Sequence, residues 1–266
     1  MIPLEDDPCD VIGKAMRGEG MDVSQLASAA QLEASLVQDV LDGNLNADAV
    51  KRIAAVLNLG AEALMSLPSY APEVALPDGL HCITTPFGHA GVNAFVLVHG
   101  SSACVFDTGT DAQPISSFLS SNNLHLDTLF ITHRHPDHMA GVSDLPYSRL
   151  IYPEDIQHDE NYTTSCGVTL KALDVSGHLS PARAYYLDNL GCGVCIVGDS
   201  VFAGSMGGTH SHKNYLTSLE TARNHLFSLP EATIICTGHG PMTSVAYEVE
   251  SNPFTKRMFH RKPETP

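Results

Sequence analysis

The densest chemistry in the chain sits in seven consecutive residues, Thr132-His133-Arg134-His135-Pro136-Asp137-His138. They follow an apolar run, Leu129-Phe130-Ile131, and lead to Gly141. His133 and His135 are two apart, so in an extended loop their rings point the same way. Asp137 and His138 come next, where the chain can turn into a helix. Imidazoles and a carboxylate at this density, at the end of a strand, are ligand chemistry for one or two divalent cations. Three later residues have the same character: His178 in Ser-Gly-His-Leu-Ser-Pro, Asp199 in Val-Gly-Asp-Ser and His239 in Thr-Gly-His-Gly-Pro. Each directly follows a glycine, which lets the backbone come close to a bound ion.

The composition argues against a broad nucleic-acid-binding surface. With 14 Lys and Arg against 30 Asp and Glu, the 266 residues carry a formal net charge of −16, which opposes broad binding to nucleic acid or anionic lipid. No run of 18 apolar residues exists, so no membrane span is expected. The acidic start, Met-Ile-Pro-Leu-Glu-Asp-Asp-Pro, lacks the basic and then apolar profile of a signal peptide, and a cytoplasmic protein is expected. The seven cysteines are scattered; Cys192 and Cys195 lie in an apolar run with no second pair at zinc-ribbon spacing. They read as small buried hydrophobes in a reducing compartment.

Positioning the candidate ligands calls for alternating elements. Short β-type runs are expected at 94–99, 103–107, 128–132, 150–152, 194–197 and 233–237, with helical stretches at 114–121 and 216–229. This is an α/β pattern. Before it, residues 10–67 read as short amphipathic helices: one capped by Asp22 and running through Ala29, one over 32–41 stopped by Gly43, one over 47–57 and a last turn or two over 61–67. Three prolines and a glycine mark 67–79 as a connecting stretch. The expected organisation is a helical domain over 1–67, a linker over 68–79 and an α/β domain over 80–266.

The ordered set HxHxDH, then His178, Asp199 and His239, resembles the metallo-β-lactamase superfamily over roughly residues 80–255. The resemblance implies an αββα sandwich and a dinuclear metallohydrolase. It implies that His133, His135 and His178 hold a first metal, that Asp137, His138 and His239 hold a second, and that Asp199 bridges the two. Val105-Phe106-Asp107-Thr108-Gly109 matches an early element in which Asp107 orients ligands without binding metal. The implied cofactors are two divalent ions, most naturally zinc, with iron or manganese compatible with the same ligand types. The implied chemistry is attack by a metal-bridging hydroxide, with Asp137 or Asp199 taking a proton in passing.

Gly198-Asp199-Ser200-Val201-Phe202-Ala203-Gly204-Ser205-Met206-Gly207-Gly208 and Gly238-His239-Gly240-Pro241-Met242-Thr243-Ser244, with Asn252-Pro253-Phe254 downstream, look like the glyoxalase II (hydroxyacylglutathione hydrolase) branch. That likeness implies hydrolysis of a thioester or related ester. The sequence departs from the branch where glutathione is held: Gly208 and His210 stand where a basic residue and a tyrosine are expected. Lys213, Lys256 and Arg257 are the cations left to substitute, and His89, His210, His212 and Tyr215 lie near the predicted ligands either as substrate contacts or as surface residues. A persulfide dioxygenase-like enzyme, with one iron on His133, His178 and Asp199, is the alternative within the same scaffold.

The N-terminal stretch, Met21 through Asn44, looks like a Cro/cI (XRE)-type helix-turn-helix. Its recognition helix would be 33–41, whose outward positions are Glu33, Ala34, Ser35, Gln38 and Asp39, without Lys or Arg. Over 10–67 there are 4 basic and 8 acidic residues, 4 − 8 = −4, which opposes phosphate contacts. A helical dimerisation or lid module is therefore the favoured reading of this region, with a homodimer through it as a possible assembly. A regulator that reads DNA here and senses a metabolite at the metal domain is the remaining alternative.

Overall fold

In each central strand, alternate side chains feed two different cores, and this builds the layered architecture. The computed structural model describes residues 2–259. One sheet runs β1 (Leu80–Thr85), β2 (Val92–His99), β3 (Ser102–Phe106), β4 (His125–Phe130), β5 (Arg149–Ile151) in that order. The second contains β6 (Asn161–Thr163), β7 (Thr169–Asp174), β8 (Arg183–Leu187), β9 (Val194–Gly198), β10 (Ile234–Thr237) and β11 (Thr243–Ser244), in the order β11-β10-β9-β8-β7-β6. Phe95 and Leu97 of β2 join Phe106, Phe130, Tyr185, Leu187 and Ile196 in the core between the sheets. Ala94 and Val96, one residue out of phase, pack with Ile115 and Leu119 on the outer side.

Ten helices accompany the sheets among the described residues: α1 (Pro8–Gly18), α2 (Val23–Ala30), α3 (Ala34–Leu41), α4 (Ala47–Leu57), α5 (Ala61–Ser66), α6 (Gln113–Ser121), α7 (Pro136–Met139), α8 (His212–Thr221), α9 (Val245–Ser251) and α10 (Thr255–Phe259). α6 covers the first sheet. α8, α9 and α10 cover the second, completing the expected αββα sandwich preceded by a helical region.

The N-terminal helices form as their caps dictate. Asp22 accepts the Gln25 amide at 2.8 Å while Gln25 returns a bond to the Asp22 backbone, a capping box that starts α2. Gln31 ends it in the left-handed conformation, φ 55°, so α3 begins at Ala34 rather than at Leu32. Val11, Ile12 and Ala15 of α1, with Leu26, Val37, Ile53 and Leu57, share one continuous core with Leu173 and Val197 of the second sheet and Tyr215, Leu219, Phe254 and Met258 of its helices. Two polar ties reinforce this seam: Arg257 pairs with Glu19 at 2.6 Å, and His212 Nδ1 lies 2.7 Å from the Gly18 carbonyl oxygen.

Several sequence expectations shift for identifiable reasons. β4 ends at Phe130, not at residue 132, because the Thr132 amide leaves the ladder to donate to Asp107 Oδ1 at 2.8 Å. The helix expected at 216–229 begins earlier, at His212, capped by Ser211 Oγ accepting the Asn214 amide. It then widens into a π-turn over Ala222–Leu226. β1, β6, β7, β8 and β11 lie outside the expected set; β7 and β8 pair with each other through mixed polar and apolar residues such as Lys171 and Arg183.

One buried acid clips three segments together. Glu248 has no exposed surface, and its carboxylate accepts from Tyr70 Oη (2.7 Å), Thr243 Oγ1 (2.8 Å), the Gly204 amide (2.9 Å) and Asn252 Nδ2 (2.8 Å). Glu248→Ala strands these donors in the core and is expected to cost about 3–5 kcal/mol, read from the denaturant midpoint at unchanged m-value. A loss under 1 kcal/mol would show that water replaces the carboxylate without penalty.

Candidate metal centre

Every candidate ligand leaves the same end of a strand. The 133–138 loop follows β4, His178 follows β7, Asp199 follows β9 and His239 follows β10. β3, β4 and β5 are parallel, as are β9 and β10, so their carboxyl ends open one crevice between the sheets. His135 has extended backbone, φ −76° and ψ 143°, and turns inward with His133 as the two-residue spacing requires. Arg134 between them turns away, stacking on Tyr152 at 3.8 Å and pairing with Glu154. Pro136 opens α7 and sets Asp137 and His138 on its first turn.

The seven residues converge as two adjoining groups. His133, His135, His178 and Asp199 bring one ligand atom each within 4.8 Å of one another, and so do Asp137, His138 and His239. In the first group His135 Nδ1 lies 3.1 Å from His133 Nε2 and 3.0 Å from His178 Nε2. In the second His239 Nε2 lies 3.3 Å from Asp137 Oδ2 and 3.4 Å from His138 Nε2. Asp199 joins them: Oδ2 is 3.6 Å from His178 Nε2 and 3.4 Å from His239 Nε2, while Oδ1 is 3.1 Å from His138 Nε2.

Outer nitrogens fix which way three of the five rings face. His178 Nδ1 donates to the Gly208 carbonyl at 2.6 Å, and His239 Nδ1 to the Gly91 carbonyl at 2.7 Å. His138 Nδ1 donates to Asp107 Oδ2 at 2.8 Å. A carbonyl or carboxylate oxygen only accepts, so these nitrogens hold the protons and the Nε2 atoms turn to the centre. Asp107 also accepts from the Thr132 amide and hydroxyl, both at 2.8 Å. It holds a left-handed backbone, φ 59°, to do so.

Charge and burial make this a place for cations. Burial pushes the His133 and His178 imidazoles down, leaving their inner nitrogens as lone pairs. Burial also acts against charged His138 and His239, but carboxylates outweigh it: Asp199 and Asp107 hold His138 well above the usual range, and Asp137 and Asp199 raise His239 to about 10. Asp199 is held well below the carboxylate range, its burial overcome by His138. Its Oδ1 is fully buried, with His138 Nε2 at 3.1 Å beside it but not in hydrogen-bonding geometry. Inward lone pairs on His133 and His178, and buried acids that demand positive charge, fit divalent metal. Gly238 keeps the space open, because a Cβ there would stand 2.2 Å from Asp199 Oδ1.

Residues 88–151 match the family model described as Metallo-beta-lactamase superfamily. The chain is 24% identical over 201 residues to the probable metallo-hydrolase YqgX of Bacillus subtilis, covering 64% of this chain and 94% of that one. It is 31% identical over 169 residues to a hydroxyacylglutathione hydrolase of Albidiferax ferrireducens, covering 55% of this chain and 62% of that relative's length. The crystal structure of BLEG-1 B3 metallo-beta-lactamase superposes with a TM-score of 0.55 at 24% identity, over 66% of this chain and 99% of that one. The fold is that of the metallo-β-lactamase superfamily.

Of the other residues singled out by sequence, Tyr215 is not at the centre. It is 2% exposed, packs on Phe254 and sits under the Arg257 guanidinium at 5.5 Å. Lys213 and Lys256 are exposed, Arg257 is engaged by Glu19, and His212 serves the α1 seam. His210 is exposed, and His89 Nε2 lies 3.0 Å from the Leu4 carbonyl oxygen. Residues that sequence reasoning passed over line the crevice instead. Phe87 stacks obliquely near His239, with centroids 5.5 Å apart, and Phe202 meets the same ring edge-on at 5.7 Å. Lys14, counted only as one of the few cations of the helical region, donates to the Met206 carbonyl at 2.9 Å. No local pattern around Lys14 announces that contact, which spans 192 residues.

Asp107→Ala removes the acceptor that holds both His138 and the Thr132 turn. It is expected to weaken zinc binding about 10–100-fold, measured by competition with a chelator, while the fold persists by circular dichroism. Unchanged affinity would show that His138 is oriented by packing alone.

Proposed function

We propose that this chain is a metal-dependent hydrolase of a thioester or related ester. His133, His135 and His178 hold one cation, Asp137, His138 and His239 a second, and Asp199 lies between them. The observation that carries this reading is Asp199 Oδ2, which lies 3.4–3.8 Å from His133, His178 and His239 and so belongs to both groups. The similarity to hydroxyacylglutathione hydrolases, over part of their length, supports the choice of a thioester.

In the reaction a water oxygen forms a new C–O bond to the acyl carbon, the C–S bond breaks and the sulfur leaves as thiolate, with the water's protons passing to the products. Divalent cations, when bound, supply the acidity that makes water a nucleophile near neutral pH and offset negative charge on the acyl oxygen. The chain's own residues do the rest. Asp137 and Asp199 are the carboxylates that face the centre and hold a proton in transit. Asp107, Gly91 and Gly208 keep the imidazoles aimed by accepting their outer protons. Phe202, 3% exposed beside His239, keeps bulk water from that side.

The helical region is read as part of this enzyme. The outward residues of α3 and its start, Glu33, Ala34, Ser35, Gln38 and Asp39, are all exposed and include no cation. That face opposes a phosphate backbone. No described helix is long and apolar enough to cross a membrane.

The test is elemental analysis of the purified chain and of Asp199→Ala, alongside hydrolysis of a thioester panel that includes lactoylglutathione. About two metal ions per chain, reduced by the substitution together with a loss of at least about 100-fold in kcat/KM, is the expected result. About one iron and no zinc, with oxygen consumed on a persulfide, would replace the hydrolase by the oxygenase reading. No metal even after reconstitution would end the catalytic account.

A further inference from the structure

The first sheet carries a buried acid that belongs to no part of the centre described above. β3 and β4 pair in parallel, Ala103 with Leu126 and then Cys104 with Thr128, so the register skips Asp127. A bulge of this kind leaves one residue out of the ladder and re-aims its side chain. Asp127 is 5% exposed, and its carboxylate accepts from Thr128 Oγ1 at 2.9 Å and from Ser165 Oγ. Ser165 lies in the turn between β6 and β7. That turn is closed by the Thr164 amide on the Val168 carbonyl at 2.8 Å and by the Val168 amide on Thr164 Oγ1 at 3.0 Å. Its next residue, Cys166, is partly exposed, whereas Cys104 of β3 is fully buried. The two sulfurs stand 3.9 Å apart.

These three side chains have the spacing of a ligand set. Cys104, Asp127 and Cys166 each bring one ligand atom within 4.8 Å of the other two. Two sulfurs bound at about 2.3 Å to one tetrahedral cation are about 3.8 Å apart. The 3.9 Å found here matches that edge and is far from the roughly 2.05 Å of a disulfide. Burial acts against charge on Asp127, but hydrogen bonds from Ser165 and Thr128 outweigh it and hold the carboxyl below its usual range. Hydroxyls that fix a charged carboxylate beside two sulfurs give it the support that a ligating acid needs. Cys166 opens the cluster to solvent and so to an incoming ion.

We propose that Cys104, Cys166 and Asp127 form a metal site separate from the His/Asp centre, taking a thiophilic divalent cation of the zinc class. On binding, both S–H bonds break, two sulfur–metal bonds form and the two protons leave to solvent, so that two thiolates and one carboxylate surround the cation. Water completes the fourth position. The bound ion ties β3 and β4 of the first sheet to the β6–β7 turn at the edge of the second. With three protein ligands it fills after the His/Asp centre, as a further equivalent. It shares no residue with that centre and does not depend on the hydrolase reading.

The experiment titrates cobalt(II), a spectroscopic substitute for zinc, into the metal-free, reduced full chain. The His/Asp centre offers only nitrogen and oxygen, so a near-ultraviolet sulfur-to-cobalt charge-transfer band reports the cysteine site alone. The band is expected to grow after the centre has filled, to survive Asp199→Ala and to be lost when zinc is added. Cys166→Ser, in a surface turn, is expected to lower its intensity at least about tenfold, and Asp127→Asn to weaken cobalt binding about tenfold or more, both folded by circular dichroism. Zinc is also expected to slow alkylation of Cys166 by iodoacetamide at least about tenfold in the unmodified sequence, a reading that needs no variant. Absence of the band, a band undiminished in Cys166→Ser, or alkylation indifferent to zinc overturns the proposal. Two thiols lost in air and regained with dithiothreitol, without any band, would make the pair a disulfide instead.

Discussion

Five imidazoles and two carboxylates brought within a few ångströms of one another cannot rest without positive charge between them. That constraint governs the rest of the molecule. The inward nitrogens of His133, His135 and His178 crowd one another at 3.0–3.1 Å, and Asp199 is buried among them. The chain holds three of the five rings from behind, His138 at Asp107, His239 at Gly91 and His178 at Gly208. Asp107 matters most among these, because it joins the ends of β3 and β4 to the first turn of α7. Its amide donates to the Phe130 carbonyl, its carboxylate takes Thr132 and His138, and it accepts a left-handed backbone to do so.

The two-sheet scaffold explains why residues spread over more than a hundred positions meet at all. Loops leaving the carboxyl ends of β3, β4, β7, β9 and β10 open on the same crevice. The stiffness of the sheets comes from the aromatic core between them. Phe106 and Phe130 stack at 5.1 Å, and Tyr185 packs against both while its hydroxyl donates to the Ile131 carbonyl at 2.8 Å. That last bond reaches the residue at which the ligand loop begins, so the core between the sheets positions the loop directly.

The convergence of the candidate ligands was legible because its signal is local in type and ordered in sequence: a dense cluster, then three glycine-preceded singletons. α4 was equally legible, with apolar residues at helical spacing and Asn46 to cap it. β7 and β8 were not, since edge-side residues such as Lys171 and Arg183 break the apolar alternation and are held by ion pairs with Asp159 and Asp174. The crevice walls were hidden for a different reason. Lys14, Asp6 and Phe202 meet only because the helical region docks on the second sheet, and nothing near Lys14 in sequence reveals that partner.

That docking changes what the helical region is for. Its apolar residues belong to the same core as Leu173, Val197 and Phe254, so the helices are built into the outer layer of the second sheet. The seam carries Arg257 on Glu19 at one end and Lys14 on the Met206 carbonyl at the other. The second of these contacts lies on the glycine-rich loop that follows Asp199. Any movement of the helical region against the sheet would therefore shift the backbone at Met206 and Gly208, and Gly208 is the acceptor that aims His178. The same contacts that bury an apolar face thus reach a ring of the candidate centre through one carbonyl. Packing, charge and ligand geometry are in this way parts of one mechanical connection.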